Sequence, residues 1–292
     1  MGLAAKSVRM KAGMDRLRFA AALCSAGVAL GAVNAWATED VTLWDGDARS
    51  GVRTIAGARP AAAAYLRAGV EIRLMRGWHT YWRYPGDAGV PPQFGFEGSR
   101  NVKHVDVLWP APERTVDSGG TSIGYSGGVI FPLRIVPQEP GKPVALRLRL
   151  QYAICEKLCV PAEARSELTL VGGRASQDAA LTVAEGRVPK RANLGEGGDL
   201  AIRSVRRERG PGDKERVVVD VAGPRGVDLF AEGPSQQWAL PVPTPVTGAP
   251  AGQQRFVFDL DGAPSGESYQ GALLTLTAVR PGRSIEVSTR LD

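Results

Sequence analysis

The chain has 292 residues, 43% of them hydrophobic, with a formal charge of +6, three cysteines and two histidines. Residues 1–37 carry +4 of that charge, so the remainder is only +2, which is no electrostatic footprint for nucleic acid. The sequence has no Ser-His-Asp set, no phosphate-binding loop and no zinc-ligand spacing, which leaves hydrolase and nucleotide-binding chemistry without support.

The first element is an export signal over 1–37. Lys6, Arg9, Lys11, Arg16 and Arg18 make its basic start, Phe19 to Val33 its apolar run, and Ala35-Trp36-Ala37 a small-x-small cleavage site that leaves Thr38 first. The run is about 15 residues, short of the roughly 20 that a membrane helix needs. The expectation is therefore a cleaved signal, no membrane span in the mature chain, and a location in the periplasm, where disulfides persist. Cys24 falls inside the signal. Leu23 stands where a lipoprotein signal would place a small residue.

Residues 38–172 alternate with period two. Val70, Ile72 and Leu74 alternate with Glu71, Arg73 and Met75. Val144, Leu146, Leu148 and Leu150 alternate with Ala145, Arg147, Arg149 and Gln151. Val102 to Val107 and Val129 to Ile135 are further strand-like runs. Such alternation gives strands with one face on a core and one face wet. Gly77, Pro85-Gly86, Pro91-Pro92, Gly119-Gly120, Gly127-Gly128 and Pro140-Gly141 punctuate them as turns. Residues 173–198 are rich in glycine and predict a linker, with a short helix over Ser176–Glu185 capped by Ser176. Strand patterns resume over 199–292, without Cys or His. The fold class expected is all-β, as two β-sandwich domains.

Cys155 and Cys159 are the cysteines left after the signal. In an extended strand they would lie about 13 Å apart, whereas a disulfide needs Cα atoms within about 7 Å. A bridge therefore requires the chain to fold back through Glu156-Lys157-Leu158. A single helical turn, bringing residues i and i+4 to about 6 Å, fits. So short a ring restrains little of the unfolded chain and is readily reduced, which favours a redox-active pair over an inert staple. The alternative is a Cu(I) site of two thiolates, with His79, His104 and Met75 as thin support. Lys157 would favour a thiolate and Glu156 oppose it. Trp78, Tyr81, Trp82 and Tyr84 are either core packing or an aromatic wall beside the sulfurs. Asp87 and Asp117 are candidate proton-handling carboxylates, or solvated loop charges. His79 and His104 are read as packed or surface side chains.

The segment Tyr152-Ala-Ile-Cys-Glu-Lys-Leu-Cys-Val-Pro-Ala-Glu163, with the strand Ser166 to Val171, resembles the cysteine segment of the N-terminal domain of the thiol:disulfide interchange protein DsbD. Gly77-Trp-His-Thr-Tyr-Trp-Arg83 and Ser122 to Ile135 resemble two upstream segments of that domain in the same order. The stretches Tyr81 to Asp87 and Leu108 to Arg114 are similar to the ScsB-like, copper-sensitivity-suppressor branch. The resemblance implies immunoglobulin-like sandwiches and no cofactor. It also implies that Cys159 meets both partners while Cys155 resolves. Those partners would be a membrane-embedded thiol reductant, here on a separate chain, and a periplasmic thioredoxin-fold client. Two departures stand out: the cysteines are closer together than in DsbD, and the stretch matching its cap loop, Arg114 to Thr121, has no aromatic residue. Shielding would then fall to Tyr125 or Trp109.

Overall fold

Alternating residues lay down the sheets, and the turn glycines and prolines set where each strand ends. The structure is a computed structural model that describes residues 39–61, 63–86, 89–117 and 120–292. The export signal expected over 1–37 lies outside the described residues. The first part of the chain forms β1 (Asp45–Gly46), β2 (Ser50–Ala56), β3 (Leu66–Leu74), β4 (His79–Gly86), β5 (Gln93–Gly95), β6 (Val102–Val107), β7 (Glu113–Asp117), β8 (Gly120–Ser126), β9 (Gly128–Pro137), β10 (Val144–Cys155) and β11 (Cys159–Leu170). One sheet runs β1-β2-β3-β9-β6. The other runs β11-β10-β4-β8-β7, with β5 also on β10. Val70, Ile72, Phe131, Leu133 and Ile135 of the first sheet are buried in one cluster with Trp82, Ile123, Leu146, Leu148 and Leu150 of the second. Arg147 and Arg149, the polar partners in the alternation, lie on the exposed face.

The segment 173–198 carries α1 (Asp178–Gly186), which packs on β9 and buries Leu181. Gly57 and Gly69 make room for Leu181, because a side chain at either would press on its methyl groups. Arg67 on β3 clamps both ends of α1, reaching Asp178 and Glu185 at 2.7 Å each. The expected cap differs. Gln177 precedes the helix without a side-chain capping bond, and the Ser176 N–H instead donates to the Asp40 carboxylate. Asp178 accepts the Ala58 N–H at 2.8 Å, so the helix start is fixed by tertiary contacts.

The rest forms β12 (Lys190–Arg191), β13 (Ala201–Arg209), β14 (Glu215–Ala222), β15 (Asp228–Glu232), β16 (Thr244–Val246), β17 (Gln253–Asp259), β18 (Leu273–Arg280) and β19 (Arg283–Arg290). They make the sheets β12-β19-β18-β15 and β13-β14-β17-β16. The all-β, two-sandwich expectation holds. The apolar core is continuous between the sandwiches, with Trp82 and Phe230 ring centroids 5.9 Å apart. The second sandwich grips two strands of the first. On β4, Arg83 pairs with Glu232 at 2.7 Å and with Glu286, while the Tyr84 hydroxyl donates to the Trp238 carbonyl and accepts the Leu240 N–H. On β7, Arg114 reaches Asp228 at 3.2 Å and the Pro243 carbonyl at 3.0 Å. Burial opposes the Arg83 charge, but the two carboxylates overcome it and hold the guanidinium above its usual range.

Candidate functional site

β10 and β11 form one antiparallel hairpin whose register runs unbroken from Val144 opposite Leu170 to Cys155 opposite Cys159. The strand pattern continues to the cysteines themselves, so the chain reverses through a three-residue hairpin turn, Glu156-Lys157-Leu158, and not through the helical turn expected. The two cysteines are cross-strand neighbours joined as a disulfide, with Cα atoms 4.2 Å apart. That is close to the separation of a non-hydrogen-bonded antiparallel pair, about 4.5 Å. Cys155 is 5% exposed, whereas Cys159 and Leu158 are exposed at the hairpin tip, Leu158 by 76%.

β4 lies beside β10 and supplies the roof of the pair. Tyr81 is buried beside Ala153 and Cys155. Its hydroxyl lies 2.9 Å from Cys155 Sγ and 3.0 Å from Cys159 Sγ, donating toward the sulfurs. The Gly89 backbone packs on the Tyr81 ring so closely that a Cβ there would fall 2.6 Å from two ring carbons. His79, two residues before Tyr81, meets the Tyr81 ring edge-on with centroids 5.5 Å apart and stands directly opposite Cys155 in the ladder. The Thr80 hydroxyl donates to the Ala153 carbonyl at 2.8 Å and ties β4 to β10 below the pair. The Glu156 carboxylate lies beside Gly77.

The aromatic wall thus reduces to Tyr81. Trp82 faces the shared core against Phe230. Tyr125 donates to the Pro110 carbonyl at 2.9 Å and packs on Phe131, and Trp109 packs on Phe94 and Phe131, so neither shields the sulfurs. Trp78 packs against the core with the Arg49 guanidinium 5.9 Å from its ring. Asp117 ends β7, and its side chain and residue Asp87 lie outside what is described. His104 is on the exposed face of β6, 2.8 Å from Asp106 and remote from the pair in the sheet order. Among the described residues no group of three or more His, Cys, Asp or Glu side chains is arranged to hold a metal ion. Sequence reasoning passed over His79 as a neighbour of Cys155. The alternation of His79 and Tyr81 puts them on one face, but their partner strand lies far along the chain.

Comparison with known proteins agrees with this geometry. The family described as thiol:disulfide interchange protein DsbD, N-terminal, matches residues 57–171. A crystal structure of the N-terminal periplasmic domain of ScsB from Proteus mirabilis superposes with a TM-score of 0.66 at 19% sequence identity, covering 87% of this chain and 99% of that one. No curated protein sequence matches the chain.

Proposed function

We propose, from the match of residues 57–171 to the DsbD N-terminal family of thiol:disulfide interchange proteins, that Cys155 and Cys159 relay reducing equivalents between proteins. The observation that carries this reading is the unequal exposure of the two cysteines in one hairpin: residue Cys159 open at the tip, Cys155 covered. An exposed sulfur can be reached by another protein, and a covered neighbour can attack it in turn. In the reduced state the Cys159 thiolate attacks the client disulfide, forming a Cys159–client bond and releasing the client's other sulfur as a thiolate. Cys155 then displaces the client from Cys159, and the client leaves with both electrons. The Tyr81 hydroxyl sits where it can stabilise the thiolate in either step.

The client fits a periplasmic thioredoxin-fold protein, and the donor a membrane-embedded thiol reductant. No helix among the described residues is long and apolar enough to cross a membrane. The test is trapping. Cys155→Ser should accumulate mixed disulfides through Cys159 in periplasmic extracts, and Cys159→Ser should not. Equal trapping by both variants, or a reduced protein that binds Cu(I) and exchanges with no disulfide, would overturn the reading.

A further inference from the structure

Cys155 must ionise to resolve a mixed disulfide, yet it is 5% exposed. Burial in apolar surroundings raises a thiol pKa, so a covered resolving cysteine needs a local means of losing its proton. His79 is positioned to supply it. β4 and β10 are antiparallel, and His79 is directly opposite Cys155. Opposed residues of such a pair project from the same face with Cβ atoms about 4.5–5.5 Å apart. The shared face is independently marked by Tyr81, whose ring touches His79 and whose hydroxyl touches Cys155 Sγ. His79 is itself 5% exposed, so both residues of the pair are withdrawn from bulk water. Imidazole is the side chain whose ordinary pKa allows it to accept a proton near neutral pH, and the resulting imidazolium favours an adjacent thiolate.

We infer that His79 is the proton acceptor for Cys155 in the resolving step, an inference that rests on the exchange reading above. The Cys155 thiol passes its proton to the imidazole, and its sulfur attacks the Cys159 sulfur of the mixed disulfide. The Cys155–Cys159 bond forms as the Cys159–client bond breaks. The client sulfur leaves with the bonding pair and takes up a proton, from His79 or from water. Two electrons pass to the client, and the reverse sequence reloads the pair. The polar and ionisable groups that flank His79 include Tyr81 on its own strand, Ser126 opposite it on β8, Cys155 opposite it on β10, and Glu156 beside Gly77. Arg76 and Lys157 stand in the flanking turns. Glu156 favours the imidazolium, and the two cations oppose it.

The experiment titrates Cys155 alone by thiolate ultraviolet absorbance, comparing Cys159→Ser with Cys159→Ser/His79→Gln. The expected result is a midpoint about one unit higher without His79, a tenfold smaller thiolate fraction at a pH below both midpoints. Coincident midpoints would overturn the inference. In case the glutamine variant does not fold, NMR titration of the His79 imidazole in the otherwise unaltered protein gives the second reading. Its midpoint should differ between oxidised and reduced protein, and an identical midpoint in both states also overturns the inference. Client exchange is assayed alongside. Normal exchange with coincident midpoints removes only the role of His79, whereas absence of exchange in the unaltered protein removes the relay reading and this step with it.

Discussion

A single hydroxyl reaches both sulfurs. A donor is worth more to a thiolate than to a neutral disulfide, so the Tyr81 phenol favours the ionised, reactive state. Tyr81→Phe is expected to raise the thiol pKa by about one unit, reducing the thiolate about tenfold near neutral pH. The more basic sulfur recovers about threefold in nucleophilicity, so exchange with a small-molecule disulfide should slow about threefold. Stopped-flow kinetics would read this, and unchanged rates would reduce Tyr81 to packing. The pair itself should equilibrate between about −270 and −180 mV, the span from thioredoxin to protein disulfide isomerase. A value below about −300 mV in glutathione or dithiothreitol buffers would mark a structural bridge instead. The chemistry of Cys155 and Cys159 was legible because spacing limits how two thiols can meet. Tyr81 was one of four aromatic candidates for a wall beside them, but which of the four reaches the sulfurs was not legible, because β4 pairs with β10 across a long stretch of intervening chain and no local pattern names that partner.

Elements are placed here by close backbone approach and by buried ion pairs. Gly124 on β8 stands opposite Tyr81, and a Cβ there would collide with the Thr80 carbonyl oxygen. Gly124→Ala should therefore push β4 away from β8 at a cost of about 1–3 kcal/mol, seen as a lower melting temperature and altered exchange kinetics. An unchanged melt would mean the strands separate freely. In the second sandwich, Asp220 on β14 is 5% exposed and accepts from Arg255 at 2.7 Å, Arg206 at 3.0 Å and Ser204 at 3.2 Å. The Arg255 hydrogen bond, opposed by burial and aided by Arg206, holds its carboxyl below the usual 3.8. A depressed acid adds stability above its ordinary pKa and loses it as pH falls through the depressed value. Asp220→Asn should thus cost about 1.5–3 kcal/mol at neutral pH, with the difference from the parent shrinking below about pH 4 in acid denaturation. A difference independent of pH would contradict this. The strands were readable from alternation. The start of α1 was not, since Ser176 has the chemistry of a cap but the helix is held at Asp178 by Arg67 and the Ala58 N–H, residues distant in the sequence.

At the scale of the molecule, the two sandwiches meet through Arg83, Glu232 and Glu286, all largely covered. Removing the cation from such a cluster leaves two buried carboxylates, so Arg83→Met should cost about 3–5 kcal/mol. Replacing all three groups with Met and Leu should recover most of that stability, which chemical denaturation of both variants would check. Failure of the triple variant to recover would show that the junction depends on the charges themselves. Burial raises the pKa of Glu232 despite its Arg83 partner, so its contribution runs opposite to that of Asp220: it favours the folded state increasingly as pH drops through that raised value. No sequence pattern announced this junction, because Trp82, Arg83 and Tyr84 lie in a strand of the first sandwich, while their partners Phe230, Glu232 and Trp238 lie far along the chain. β4 is at once the strand whose Tyr81 roofs the sulfurs and the strand gripped by the second sandwich. That shared strand is a continuous physical link between the two sites. Any partner that binds the second sandwich more tightly when the disulfide is open must, by reciprocity, make the disulfide easier to open, and by the same free energy.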